Sequence, residues 1–167
     1  MDPRVVEARA WAMEAHGDQR YGEHPYVVHL DQVAATLTPF GVEARVMGYL
    51  HDIVEDTPVT EGQVAERFGV HVAACVALVT DCAGPNRKAR KAATHAKLAA
   101  VPADDPRAIA LVVKAADRLS NLRSCVRDRN RGLLKMYRRE HPAFREAAFR
   151  PGLCDALWAE MDRICGP

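Results

Sequence analysis

The sequence of 167 residues lacks the features that mark most membrane and secreted proteins. It contains no run approaching the ~18 apolar residues of a membrane-spanning helix, and charges within residues 1–7 leave no room for the apolar core of a signal peptide. We therefore expect a cytoplasmic protein with no membrane partner. The five cysteines are an odd number without a CxxC pair, which fits neither a disulfide framework nor a zinc ribbon.

An excess of charge of one sign is missing as well. Lys and Arg together number 23 and Asp and Glu 22, which gives a net charge of +1. Such a chain has no general attraction to nucleic acid or anionic lipid, so we expect no nucleic-acid partner. Aromatic residues make up only 6%, but a hydrophobic share of 49% suffices for a core and excludes disorder. The length fits one domain, residues 1–167.

Alternating strand patterns are nearly absent, whereas apolar residues recur at helical spacing, so the sequence predicts an all-α bundle. Asp2-Pro3 has the form of an N-cap with proline in the first turn, and this helix should end near Gly17. Residues 60–63 form a capping box before a helix that closes at Gly69. The expected helices cover about 2–17, 26–38, 42–55, 60–69, 70–80, 87–100 and a segment that begins at 105.

Glycine and proline mark the expected interruptions of this helical pattern. A loop containing Gly22 and Pro25 separates the first two helices, and Pro142 and Pro151 punctuate the last third of the chain. The C-terminal helices should pack back on the bundle through an apolar face that consists of Leu153, Leu157, Trp158, Met161 and Ile164.

The densest polar cluster lies at the end of the expected third helix, 42–55. His51 and Glu55 are four residues apart, as are Asp52 and Asp56, so a continuous helix would project these groups from adjacent faces. Three acids at short range repel each other unless a cation neutralises them, which favours a metal site. The alternative is a solvated helix end.

Residues in two other segments add to the metal interpretation. His29 lies in the apolar run 25–30, where it is either a core residue, the commoner case, or a ligand that faces the next helix. Asp117 stands in an otherwise apolar helix, and a buried carboxylate needs an ion pair or a metal. Asn121 follows one helical turn later and therefore faces the same way as Asp117.

The order of these residues resembles that of the HD-domain hydrolases, in particular the RelA/SpoT hydrolase domain and the small alarmone hydrolases. The matching segments are His29, 51–57 and 114–122, within a similar stretch of about 16–122. The resemblance implies an HD-domain helical bundle in which the C-terminal helices, 123–167, pack on the part that bears the motifs. The family often has lysine where this chain has Tyr21.

The resemblance also implies the chemistry of the site. It implies one divalent ion, usually manganese, with four ligands: His29, His51, Asp52 and Asp117. Glu55 and Asp56 would activate or position the attacking water, and the nucleotide would contact Arg20, Lys114, Asn121 and Tyr137. The implied enzyme hydrolyses the 3′-diphosphate of (p)ppGpp or (p)ppApp and releases pyrophosphate and the nucleoside 5′-di- or triphosphate.

A basic segment agrees with a polyphosphate substrate. No acid occurs between Asp81 and Asp104, and the cations in this gap are Arg87, Lys88, Arg90, Lys91 and Lys97. The ordinary explanation is a solvated helix face, but the segment could also steer a polyanion inward. Two alternative functions stay open: a nucleotidase acting on another nucleotide, and a non-catalytic module that binds polyanions. The base, the number of 5′-phosphates and the oligomeric state also stay open.

Overall fold

The computed structural model describes residues 2–166, which form an almost entirely α-helical bundle, as predicted. The helices are α1 (Pro3–His16), α2 (Val27–Thr36), α3 (Val42–Leu50), α4 (Ile53–Asp56), α5 (Glu61–Phe68), α6 (Val70–Val79), α7 (Arg87–Ala99), α8 (Ile109–Arg127), α9 (Arg131–Ala148) and α10 (Asp155–Cys165). Single turns of 3-10 helix, Thr38–Phe40 and Pro106–Ala108, precede α3 and α8. The predicted range 1–167 includes Met1 and Pro167, which lie outside the described residues.

Helix α8 forms the centre of the bundle, where it packs against α2, α3, α6, α9 and α10. Its inward residues have no solvent exposure; they include Leu111, Val112, Ala115, Leu119 and Leu122. Each such leucine contributes about 1.5–3 kcal/mol through burial. Because Asp117 belongs to this helix, the same packing holds its carboxylate inside the protein.

Local capping chemistry sets two helix starts, and the structure confirms both predictions. The Asp2 side chain accepts a 2.9 Å hydrogen bond from the Arg4 peptide N–H at the start of α1. At α5, the Thr60 hydroxyl accepts from the Gln63 N–H and the Gln63 side chain accepts from the Thr60 N–H. These reciprocal bonds satisfy donors that a helix N-terminus leaves free.

The segment expected as a simple loop between the first two helices contains a short antiparallel pair of strands, β1 (Arg20–Tyr21) and β2 (His24–Pro25). Gly22 closes the turn with φ of 59°, a left-handed conformation that glycine adopts at little cost. Strands of two residues are too short to leave an alternating pattern in the sequence. The pairing fixes Tyr21 opposite His24.

The prediction of a continuous helix over 42–55 is wrong, because the helix is interrupted between Leu50 and Ile53. His51 Nδ1 lies 2.8 Å from the carbonyl oxygen of Gly48. That oxygen is the acceptor that the N–H of Asp52 would use in a continuous helix. The backbone turns at Asp52, with φ −103° and ψ 0°, and α4 begins one residue later.

The C-terminal helices pack on the rest of the bundle, as predicted. α9 contacts α7 and α8, and α10 contacts α8 and α9 through the buried side chains of Trp158 and Met161. Pro151 lies beyond the end of α9, but the prediction that Pro142 also ends a helix is wrong, since it lies inside α9. Burial of Phe144 beyond the proline and the packing of α9 on α7 and α8 together offset the cost of about 3 kcal/mol for a proline in a helix. No helix within 2–166 is long and apolar enough to cross a membrane.

Candidate active site

Three helices bring together one potential ligand each. His29 lies on α2, His51 follows α3 and Asp117 lies on α8, and one ligand atom from each falls within 4.8 Å of the other two. His29 Nε2 is 3.2 Å and His51 Nε2 is 3.6 Å from Oδ1 of Asp117. Both imidazoles are buried, with 1% and 0% exposure, so the group is largely screened from solvent.

The hydrogen bonding of His51 leaves one ring nitrogen available for a metal. A carbonyl oxygen only accepts, so Nδ1 donates its proton to Gly48, and Nε2 carries the lone pair of the neutral ring. Nε2 is buried and makes no hydrogen bond, although it lies 2.8 Å from Oδ2 of Asp52. A buried lone pair that faces carboxylate oxygens, here of Asp52 and of Asp117 at 3.6 Å, is repelled by them unless a cation lies between. A divalent cation between the imidazoles and Asp117 fits this arrangement.

The ionisation of the carboxylates also suits a cation. Burial acts to raise the pKa of the Asp117 carboxyl, but the polar groups that face it, with the ammonium of Lys114 3.6 Å from Oδ2, hold the pKa well below its usual range. Asp52, the fourth predicted ligand, stands outside the closely spaced group of three and approaches it beside His51. The hydroxyl of Tyr26 donates a hydrogen bond to Oδ2 of Asp52 and so fixes its orientation.

The two carboxylates predicted to act on water lie on α4 and are anchored to different loops. Oε2 of Glu55 accepts a 2.8 Å hydrogen bond from the peptide N–H of Asp81. Oδ2 of Asp56 accepts a 2.8 Å hydrogen bond from the side-chain amide of Gln19. Although the Glu55 side chain lies at the rim of the site, the atoms around its carboxyl desolvate it and raise its pKa.

Behind these carboxylates lies a buried lysine. Nζ of Lys114 donates a 2.9 Å hydrogen bond to the Val79 carbonyl and lies 3.6 Å from Oδ2 of Asp117 and 3.8 Å from Oδ1 of Asp81. The structure thus places the predicted nucleotide contact Lys114 in the wall of the site, where its charge faces two carboxylates. Lys91 pairs with the other oxygen of Asp81 at 2.5 Å.

A cavity of about 170 Å³ lies next to residues that contact the potential ligands: Asn121, one of its lining residues, donates a 2.7 Å hydrogen bond to Oδ1 of Asp117. Its lining includes Asn121 and Tyr137, two of the predicted nucleotide contacts, together with Tyr21, whose hydroxyl donates a 2.8 Å hydrogen bond to Oδ1 of Asn121. The Tyr21 ring also stacks on His29, with 4.6 Å between ring centroids. Arg20 lies apart from this lining, since its guanidinium donates to the Glu23 carbonyl within the hairpin.

Sequence reasoning assigned no role in the site to Tyr21 and Asp81. The sequence does hold a signal that Asp81 has a role: it stands directly before the acid-free basic segment. An isolated acid in that position has cations as neighbours. Tyr21 has a weaker signal, an aromatic residue beside the turn glycine Gly22. Both contacts join distant parts of the chain, 26 residues apart for Asp81 and Glu55 and 100 apart for Tyr21 and Asn121.

The basic segment coincides with α7, and several of its cations have partners inside the protein. Lys91 pairs with Asp81, Arg87 binds Glu140 through two hydrogen bonds of 2.7 and 3.1 Å, and Lys97 donates to carbonyls at the end of α6. These contacts tie α7 to α6 and α9. Structural pairing therefore accounts for part of the charge run.

A family model described as HD domain matches residues 8–141. The guanosine-3′,5′-bis(diphosphate) 3′-pyrophosphohydrolase of Aquifex aeolicus (strain VF5) is 37% identical over 123 residues, 72% of this chain and 17% of that protein. The protein of the same name from Spiroplasma citri is 37% identical over 126 residues, with the same coverage. This chain thus spans about a sixth of these relatives. A solved structure described as "A metazoan ortholog of SpoT hydrolyzes ppGpp and plays a role in starvation responses" shares the fold, with a TM-score of 0.76 at 24% identity over 98% of this chain and 94% of that one.

Proposed function

This chain belongs to the HD domain family, and from that membership we propose that it is a metal-dependent hydrolase of alarmone nucleotides. The observation that carries the proposal is the buried group of His29, His51 and Asp117, in which His51 Nε2 has no hydrogen-bond partner. The names of the Aquifex and Spiroplasma relatives support the 3′-diphosphate of (p)ppGpp as the substrate. The adenosine counterpart (p)ppApp offers the same phosphate chemistry.

We assign one Mn²⁺ ion to this site, with Asp52 as the fourth ligand. Two imidazole nitrogens and two carboxylates are a mixed donor set that suits a divalent ion of intermediate softness, whereas thiolates would favour zinc. The ion, when bound, supplies Lewis-acid chemistry for the transfer of a phosphoryl group to water.

Glu55 is the proposed general base. Its carboxylate accepts a proton as the oxygen of water bonds to the phosphorus next to the 3′-oxygen, while the peptide N–H of Asp81 keeps the carboxylate in place. The bond from phosphorus to the 3′-oxygen breaks, and that oxygen takes up the proton that Glu55 removed from the water, directly or through solvent, and so becomes the 3′-hydroxyl. The products are pyrophosphate and the nucleoside 5′-di- or triphosphate. Asp56, held by Gln19, orients the water from the other side.

The cavity beside the metal site suits the nucleoside part of the substrate. Tyr21 and Tyr137 supply aromatic surfaces, Asn121 supplies a polar side chain, and neither lysine nor arginine occurs among the residues that line it. The lining includes the acidic residue Asp128, and an aromatic cavity with a carboxylate and no cation favours a base and a ribose over a phosphate. The 3′-diphosphate would then point toward the cation site and Lys114.

The test is an incubation of the purified protein with Mn²⁺ and either ppGpp or ppApp, followed by chromatography of the products. We expect pyrophosphate with GDP or ADP, and no reaction when a chelator is present. A protein that binds Mn²⁺ but leaves both nucleotides intact contradicts the proposal.

The same assay distinguishes the alternatives. A nucleotidase releases orthophosphate instead of pyrophosphate. A non-catalytic module that binds polyanions turns over neither compound and shows binding that weakens steeply with salt.

A further inference from the structure

The two imidazoles of the candidate metal site are supported at Nδ1 by different kinds of group. His51 donates to the backbone carbonyl of Gly48 at 2.8 Å. Nδ1 of His29 lies 3.3 Å from the hydroxyl oxygen of Ser120, and that oxygen lies 3.1 Å from Oε1 of Gln32. His29 is therefore supported by two side chains in series.

The direction of these hydrogen bonds follows from the groups involved. The Oε1 atom of Gln32 only accepts, so the single hydroxyl proton of Ser120 points to Gln32. The Ser120 oxygen is then left to accept, which requires the proton of a neutral His29 to be on Nδ1. The lone pair of His29 consequently sits on Nε2, the atom that lies 3.2 Å from Asp117.

We propose that Ser120 and Gln32 are positioning residues that hold His29 as its Nδ1–H tautomer and so prepare Nε2 for the metal. His29 and Ser120 are 1% and 2% exposed, so water does not easily replace the bond between them. Ser120 lies one helical turn after Asp117 on α8, and this central helix thus carries both a ligand and the support of another ligand. The inference deepens the proposed metal site and does not depend on which nucleotide is the substrate.

The first experiment measures Mn²⁺ affinity by isothermal titration calorimetry. Ser120→Ala should weaken binding by about 10- to 100-fold, the usual effect of removing a hydrogen-bond partner of a ligand histidine. Gln32→Met should weaken it less, because the Ser120 hydroxyl remains. Ser124→Ala is the matched control for metal binding only: this residue lies one turn further along α8 and lines the proposed nucleoside cavity, outside the group of potential ligands. Its Mn²⁺ affinity should equal that of the unmodified protein.

The second experiment reads the tautomer directly in the metal-free protein. Nitrogen-15 NMR at alkaline pH should show the proton of His29 on Nδ1 in the unmodified protein and a mixture of both tautomers in Ser120→Ala. Ser120→Thr keeps the hydroxyl and should restore the Nδ1–H form. A residue with a merely structural role would leave the tautomer unchanged.

Unchanged Mn²⁺ affinity together with an unchanged tautomer in Ser120→Ala overturns the positioning role, whatever the protein does to ppGpp. If Ser120→Ala does not fold, Gln32→Met decides by the same two measurements. Weaker Mn²⁺ binding and a changed tautomer support the inference even where neither ppGpp nor ppApp is hydrolysed. In that case only the proposed substrate is refuted.

Discussion

The peptide N–H of Asp81 donates a 2.8 Å hydrogen bond to Oε2 of Glu55. The side chain of Asp81 is itself held by Lys91 at 2.5 Å, with Lys114 at 3.8 Å. The position of Glu55, the proposed general base, therefore depends on the turn between α6 and α7. It also depends on Lys91, which acts on Glu55 only through Asp81.

Replacing Lys91 by methionine should lower kcat of the proposed alarmone hydrolysis about tenfold, which corresponds to ~1.4 kcal/mol of transition-state stabilisation. The reason is that the turn at Asp81 loses the cation that holds it, so that Glu55 is less well placed. Steady-state kinetics at saturating Mn²⁺ measure the effect. Lys88→Met, a change of the same kind at an exposed position of α7, is the control and should leave kcat unchanged. Equal losses in the two variants would assign the effect to the overall charge of α7.

The pH dependence of the reaction should report the raised pKa of Glu55. A general base acts in its ionised form, so kcat/KM should fall as the pH drops through this pKa, at a higher pH than for an ordinary glutamate. Desolvation raises the pKa of Glu55 most, the peptide N–H of Asp81 lowers it in part, and the negative charge of the Asp81 side chain raises it. Asp81→Asn should therefore move the acid limb of the profile to lower pH. If the acid limb of the Asp81→Asn profile does not move at saturating Mn²⁺, the titrating group is not Glu55.

Metal binding and turnover should separate in two variants. Asp117→Ala removes a carboxylate from the group of three and should abolish both Mn²⁺ binding and hydrolysis. Glu55→Gln leaves that group intact, so it should bind Mn²⁺ as the unmodified protein does while kcat falls by at least about 100-fold, as for the loss of a general base. Calorimetry and product assays on the same samples give both results. Retained turnover in either variant refutes the role assigned to that residue.

Two glycine substitutions should change stability in opposite directions. An added Cβ at Gly48 would lie 2.7 Å from Cδ1 of Leu37 and 3.3 Å from Cα of Ala34, so the Leu37 side chain must shift and the α2 backbone must give slightly. Leu37 is fully buried, and we expect Gly48→Ala to lower the free energy of unfolding by about 1–3 kcal/mol. The Cβ added in Gly62→Ala lies near only the hydroxyl oxygen of Thr60, at 3.7 Å. The free energy of unfolding of this variant should rise by about 0.5 kcal/mol. Urea unfolding curves test both; a stable Gly48→Ala variant contradicts the close packing.

Helix starts were predictable where the interaction is local. The cap at Asp2 and the box at Thr60 and Gln63 each join groups within three residues, so the sequence alone contains both partners. The break after Leu50 was not predictable from helical spacing, because it coincides with one bond from the His51 side chain to a backbone carbonyl. The prediction that Pro142 ends a helix was wrong because a local preference decided it, whereas burial of the helix against its neighbours outweighs that preference.

For the site, the polar residues in apolar surroundings were the informative ones. His29 and Asp117 stand out because a polar group in an apolar run needs a partner, and the structure places them 3.2 Å apart. The contact of Asp81 with Glu55 uses a peptide N–H, which nearly every residue type supplies, so the identity of residue 81 does not reveal it. The contact between Tyr21 and Asn121 spans 100 residues, and the sequence offers no spacing rule at that distance.

The unequal support of the two imidazoles gives the site one fixed and one adjustable element. Gly48 holds His51 with its backbone, and the neighbouring helix leaves little room for a side chain there, so substitution offers no gradual way to change that bond. The bond to His29 comes from side chains, which single substitutions can shorten, lengthen or remove. Natural variation or protein design can therefore change the metal preference of this site by substitutions at Ser120 and Gln32.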